Sequence, residues 1–428
     1  MTAPKHPPSR KPRPRATGYF PALKTGFEQG TLRVHEMHRA IADKSFRVLR
    51  NIPGVAGPAA VVEEAHHAIT DGVYGAVRHT GAALLAAAGL IEERRAAQAE
   101  PQSATANTTP STRAQAVRAA VNGVVGDFLA DSANPLAIEM GFYVAGERLE
   151  LTRDSIVAAV GEPSDRVCVF IHGLACDETS WKRKPQQQGD AGGRHYGKRL
   201  RAEFGYTPLY LRYNTGLPIA DNAVALAQQL GLLLDAYPTP PRELVLIGHS
   251  LGGLVARSAC HHASGAKLSW LRHTTMVICL GSPNLGAPME KLGYLATAAL
   301  HLFDVTAPLG KIADARSAAI KDLRHGLRRR SHTDEQDAAA APPVPGVAYR
   351  FLAANLVKDS ARPLARMAGH VLGDGMVTLG SAAVAGLPGD VETATIGGIG
   401  HLQLLNDPRV YEYISGWLTA AQRGAEPA

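Results

Sequence analysis

The sequence predicts an α/β fold: a mostly parallel sheet with helices on both faces, preceded by an N-terminal helical extension. Two observations predict it. From about residue 165, short apolar runs alternate with helical stretches, the rhythm of strands joined by crossover helices. The runs are also near-continuous in apolar residues, as strands covered on both faces are. A third observation places the chemistry. Gly248-His249-Ser250-Leu251-Gly252-Gly253 lies between one such run, 244–247, and a helical stretch.

The elements follow in order. Residues 1–24 contain Lys5, Arg10, Lys11, Arg13, Arg15 and Lys24, no acid and many prolines. That composition predicts a solvated, disordered basic tail. Residues 25–130 are expected to be a helical extension. Val34, Met37 and Ile41 are spaced for one helical face, and Val62, Ile69, Val73 and Val77 for another, with Pro53-Gly54 turning between them. Residues 99–113 are a polar linker, and a further helix is expected at about 114–130. The α/β domain is expected over 131–422, followed by a short tail, 423–428. Residues 141–152 predict a hairpin turning at Ala145-Gly146. Six strand runs follow at 167–171, 209–213, 244–247, 276–280, 347–352 and 391–396. An amphipathic helix at about 219–236 joins the second and third.

Bulk properties exclude several classes. The chain of 428 residues is 45% hydrophobic and 19% charged, a globular composition with a large core. Net charge is +7, much of it in the first 24 residues, so no nucleic-acid partner is expected. No apolar run follows the basic start, so no secretory signal is expected. No run approaches the roughly 20 apolar residues that span a bilayer. Cys168, Cys176, Cys260 and Cys279 show no metal-site spacing. The expected compartment is the cytoplasm. Residues 25–98 pack on their own protein in one reading and make peripheral membrane contact in the other.

The serine motif has a physical logic. A strand, a tight turn and a helix lift Ser250 clear of the sheet, and Gly248 and Gly252 avoid the clashes that side chains would make there. The motif alone is weak, since roughly 0.2 such matches are expected by chance in this composition. Context adds the rest, because ligands bind at the carboxyl edge of parallel strands. After 167–171 comes His172-Gly173-Leu174. The glycine lets the backbone approach an oxyanion, and the amides of Leu174 and Leu251 can then form an oxyanion hole. The alternative there is an ordinary strand-end turn. After 276–280 comes Gly281-Ser282-Pro283, where Ser282 is expected to cap or turn.

A serine hydroxyl needs a base and an acid to orient it, in the order Ser, acid, His for this arrangement. His401 follows the last strand in Gly397-Gly398-Ile399-Gly400-His401. His249 sits inside the turn, His261 and His262 lie turns away on the helix, and His370 precedes the acid. Asp374, in Gly373-Asp374-Gly375, is the chosen acid, with a turn-capping role as its alternative. Asp359 is the runner-up. Asp390 begins the final strand, at the wrong edge of the sheet.

Taken together, these segments resemble the α/β-hydrolases, and bacterial triacylglycerol lipases and PGAP1-like esterases most of all. The resemblance covers about residues 165–422. It implies a serine esterase or lipase with a Ser250-Asp374-His401 triad, an acyl or lipid ester substrate and no cofactor or metal. An acyltransferase with the same triad remains open. So does a silent scaffold whose N-terminal helices bind a membrane or a partner. Such enzymes insert a lid between strands, and 289–346 occupies that place. It holds the apolar Leu300-His301-Leu302-Phe303 and the basic Arg324, Arg328, Arg329 and Arg330. A gating lid and a plain surface excursion are both consistent with it.

Overall fold

In a computed structural model of the chain, the described residues are 112–182, 195–286, 318–325, 341–357, 374–382 and 386–425, with helical positions between His35 and Asp71. The chain divides into two compact units: Met1–Thr109 with Ala133–Leu136, and Pro110–Ser132 with Ala137–Ala428. The basic tail, the Pro53-Gly54 turn, the linker through residue 111, Asp359, His370 and most of the 289–346 insertion lie outside the described residues.

In the first unit the described positions are helical at both 35–50 and 63–71. Polar pairs run between them in antiparallel order. Arg39 Nη1 lies 3.0 Å from Asp71, His67 Nε2 2.9 Å from Asp43, and Arg50 Nη1 3.1 Å from Glu63. Among the described residues no helix is long and apolar enough to cross a membrane.

The second unit holds an eight-stranded sheet. Its strands are β1 (Gly141–Val144), β2 (Glu147–Arg148), β3 (Arg166–Ile171), β4 (Thr207–Arg212), β5 (Glu243–His249), β6 (Thr274–Leu280), β7 (Ala348–Asn355) and β8 (Val391–Gly397). The spatial order is β2-β1-β4-β3-β5-β6-β7-β8. All six strands from β3 to β8 pair in parallel, as the six apolar runs predict. The expected hairpin is β1 and β2, joined antiparallel to the edge of β4. Its turn residues Ala145 and Gly146 both have positive φ, 54° and 99°, as a two-residue hairpin requires.

Alternation along the strands divides the core in two. Val167, Val169, Ile171, Leu244 and Leu246 face α4 (Ile219–Ala236) and α5 (Leu251–Gly265) on one side. Cys168, Phe170, Val245, Ile247 and Ile278 face α3 (Tyr196–Phe204) and α8 (Pro408–Ala425) on the other. Both sets are buried, which is why the runs read as continuously apolar. The remaining helices are α1 (Thr112–Asp131), α2 (Arg153–Val160), α6 (Ala318–His325) and α7 (Leu379–Ala382). All four cysteines are buried and free.

One boundary differs from the sequence reading. Helix α1 was expected in the N-terminal extension; it belongs to the compact unit of the sheet and lies on the loops after β3 and β4. A Cβ on Gly123 would come within 2.6 Å of the Ala175 methyl, and one on Gly126 within 1.9 Å of Asn214 Oδ1. These backbones touch because the glycines have no side chains. Asn214 Nδ2 donates to Gly126 O at 2.8 Å, and Asp127 Oδ2 accepts from the Ala318 amide at 2.8 Å. The helix is broken at Val125 (φ −134°, ψ 25°), between those glycines. It thereby joins loops at the carboxyl edge of β3 and β4 to α6 of the insertion.

Candidate active site

Strand β5 ends at His249 and α5 begins at Leu251, so Ser250 is the whole turn. Its backbone sits at φ 53°, ψ −121°, a conformation non-glycine residues rarely adopt. Two anchors hold it. The Ser250 amide donates to Leu280 O at 2.9 Å, and its carbonyl accepts from the Gly253 amide at 3.1 Å. Space is the second constraint. A Cβ on Gly252 would fall 2.2 Å from Ile171 O, and one on Gly248 would fall 2.4 Å from the Gly253 backbone. Any side chain at either place would push α5 off the sheet.

The chain after β3 turns beside this serine. A Cβ on Gly173 would lie 3.1 Å from Ser250 Cβ. The Cys176 amide donates to Gly173 O at 3.2 Å, with Leu174 and Ala175 at the centre of the turn and Ala175 at φ 58°. The Ala175 amide is held by Thr215 Oγ1 at 3.0 Å. The Leu251 amide belongs to the first turn of α5, where N–H groups have no partner within the helix. Leu174 and Leu251 are both buried.

Asp374 and His401 meet across 27 residues of sequence. His401 Nδ1 donates to Asp374 Oδ2 at 2.6 Å. Asp374 Oδ1 accepts from the amides of Met376 and Val377 at 2.9 and 2.7 Å. Burial alone would raise the Asp374 carboxyl. The charge and hydrogen bond of His401, with those two amides, outweigh it and leave the group below its ordinary value, hence ionised. His401 Nε2 is buried with no hydrogen-bond partner. When the ring is neutral with its proton on Nδ1, Nε2 presents a lone pair. Ser250, Asp374 and His401 are 2%, 3% and 3% exposed, so the group is covered. Gly281 borders it too: a Cβ there would stand 3.2 Å from both Asp374 Oδ2 and His401 Nδ1.

The other candidates fall elsewhere. His261 is exposed and His262 half-buried on α5. Asp390 precedes β8 and binds Arg350 Nη1 at 2.8 Å, away from the carboxyl edge. Ser282 accepts the Asn284 amide at 2.9 Å, a turn role. His172 stacks on Tyr213 at 4.6 Å, and burial lowers its pKa to about 4.

Sequence reasoning missed three residues that frame the site. His249 Nε2 lies 3.0 Å from His401 O. Arg257, 3% exposed on α5, donates to Asn284 Oδ1 at 2.6 Å and to Ala341 O at 2.8 Å, anchoring the far end of the insertion. Glu178 is fully buried and pairs with Arg212, whose Nε donates to Glu178 Oε2 at 2.6 Å. Only unpaired charge in a helix with an apolar face hinted at Arg257. The other two carried no signal, because their partners lie far off in sequence.

Among the described residues one group could hold a metal ion. Asp43, Glu63 and His67 of the first unit bring ligand atoms within 4.8 Å of one another. Glu63 also lies 3.1 Å from Arg50, and Asp43 2.9 Å from His67.

Residues 162–304 match the family model of the PGAP1-like alpha/beta domain. The fold is an α/β-hydrolase fold. It also resembles solved lipases at a distance. The mature lipase BlEst2 of Bacillus licheniformis is 20% identical, covering 60% of this chain and 95% of that one, with a TM-score of 0.39. The Staphylococcus hyicus lipase is 14% identical, covering 62% and 98%, with a TM-score of 0.38. The RedJ thioesterase of Streptomyces coelicolor is 14% identical, covering 60% and 94%, with a TM-score of 0.36. No curated protein matches the chain. In this α/β-hydrolase fold, the turn after β5, the turn after β3 and the loops after β7 and β8 share the carboxyl edge of the sheet.

Proposed function

We propose that the protein hydrolyses carboxylic esters of acyl or lipid type through Ser250, Asp374 and His401. One observation carries this reading. A buried base, oriented by Asp374 and with its second ring nitrogen unpartnered, has its ring 4.6 Å from that of His249, the residue bonded to a serine held at the apex of a strained turn. His401 Nε2 takes the Ser250 proton as Oγ attacks the ester carbonyl carbon. The carbonyl π-electrons move to oxygen, where the amides of Leu174 and Leu251 bind the oxyanion. On collapse, the C–O bond to the alcohol breaks, and the imidazolium gives that oxygen its proton. Water, deprotonated by His401, then attacks the acyl carbon; the bond from that carbon to Ser250 Oγ breaks, Oγ takes the proton back from His401, and the carboxylic acid leaves. Asp374 stays ionised and stabilises the imidazolium.

The test uses p-nitrophenyl esters of several acyl lengths and a fluorophosphonate probe. The wild-type protein should release p-nitrophenol and be labelled at Ser250. Ser250→Ala should abolish both, and His401→Ala and Asp374→Asn should each lower kcat by about 10³–10⁴-fold. Equal turnover by Ser250→Ala would overturn the reading.

A further inference from the structure

We infer that His249 is a positioning residue that ties the base to the nucleophile, its Nε2–H holding the His401 carbonyl. The inference rests on the esterase reading. It starts from an inventory of what holds His401. The His401 amide donates to Asp374 O at 3.1 Å, and Nδ1 donates to Asp374 Oδ2 at 2.6 Å. The His401 carbonyl faces His249 Nε2 at 3.0 Å. Main-chain N, main-chain O and Nδ1 are each engaged, and Nε2 alone is left for chemistry.

The direction of the His249 bond is fixed by its partner. A carbonyl oxygen only accepts, so Nε2 of His249 carries the proton. Nδ1 is then a bare acceptor, buried and without a partner. It faces the Gly173 backbone, where a Cβ would stand only 3.0 Å away. Neighbours fix the ring as well. Trp181 meets it edge-on at 6.3 Å, and the His401 ring lies 4.6 Å from it, centroid to centroid. Burial holds the pKa of His249 down at about 3, and the nearby charge of His401 acts the same way. The ring therefore remains neutral while His401 gains and loses its proton.

The connectivity gives the contact its consequence. His249 is bonded through its peptide to Ser250, and its side chain grips the residue that must reach Ser250 Oγ. One residue sets the spacing of nucleophile and base, which come from loops 151 residues apart. Errors of about 1 Å in such spacing cost on the order of 10²-fold in rate.

The experiment compares wild type, His249→Gln, His249→Asn and His249→Leu, with Ser250→Ala as control. A Gln amide nitrogen occupies the place of Nε2 and can donate to the His401 carbonyl. An Asn amide nitrogen matches Nδ1 and falls short. Steady-state ester hydrolysis should give His249→Gln a kcat within about threefold of wild type. His249→Asn and His249→Leu should lose about 10–100-fold in kcat with KM unchanged within about twofold. Wild-type kcat in a folded His249→Leu, or Asn matching Gln, overturns the inference. Where a variant does not fold, ¹⁵N-histidine spectra of wild type decide instead: they must show a neutral His249 ring protonated on Nε2 from pH about 5 to about 9. Protonation on Nδ1 overturns it. If wild type and Ser250→Ala do not differ, the esterase reading fails, and the spectra still judge the His249 contact.

Discussion

At the residue scale, the serine, acid and base candidates were legible because glycines flank Ser250 and Asp374 and precede His401, each after its own strand. Asp374 shows what the glycines allow: Gly375 has φ 92°, and in that turn the carboxylate meets His401 through Oδ2 while its Oδ1 takes two amides. His249 was illegible because the carbonyl it serves is 152 residues away. The buried histidines also carry a measurable cost. Burial pulls His172 to about 4 and His249 to about 3, from an ordinary 6.5. Below pH about 6.5 the unfolded chain takes up protons that the folded chain refuses. Their stabilisation is thus complete above pH about 6.5 and is lost as pH falls toward their folded values. The depressed Asp374 works in the same direction. Between pH about 5.5 and about 4.5 the two histidines together should remove up to about 2.7 kcal/mol per pH unit. Urea unfolding followed from pH 7 downward reads this directly. A midpoint that stays level to pH about 4.5 would show that the rings are not buried and neutral.

At the element scale, β3, β5 and β6 were visible because burial on both faces writes continuous apolar runs, whereas the edge strand β8 is largely exposed and its run is broken by Glu392, Thr393 and Thr395. Helix α1 was visible as a helix and misplaced as a neighbour. Its docking surface is Gly123, Gly126 and Asn122, residues that leave no apolar stripe. The contact reaches the candidate oxyanion turn, since Gly123 receives the methyl of Ala175, the residue after Leu174. Gly123→Val should therefore press on that turn. We expect kcat for ester hydrolysis to fall by about tenfold or more, with far-ultraviolet circular dichroism close to wild type. Gly416→Ala in α8 is the matched control, as nothing lies within 4 Å of its Cβ. It should leave activity unchanged and stabilise by up to about 1 kcal/mol. If Gly123→Val turns over esters at the control's rate, α1 does not shape the site.

At the scale of the whole molecule, 99–113 read as a linker inside a helical extension ending at 130, and the compact units divide the chain at Thr109–Pro110, with Ala133–Leu136 counted to the first. The difference from a boundary at 131 is one helix, and that helix decides what a truncation does. Removing residues 1–109 takes away none of the contacts described around Ser250, Asp374 and His401. Removing residues 1–131 strips Gly123 from Ala175, Gly126 from Asn214 and Asp127 from α6, and uncovers the surface against which Asn122 and Leu129 are buried. The shorter deletion should keep ester hydrolysis within about twofold of the full chain. The longer one should lose it, together with several degrees in Tm, because Asn214, Thr215 and the Ala175 turn lose their support. If the N-terminal helices serve as a membrane device, as their spacing allows, the shorter deletion should also abolish sedimentation with anionic liposomes while leaving hydrolysis intact. Unfolding of the 1–109 deletion would instead make the first unit part of the fold. Full activity in the 1–131 deletion would place the catalytic boundary at 131, and α1 outside the machinery that positions Leu174.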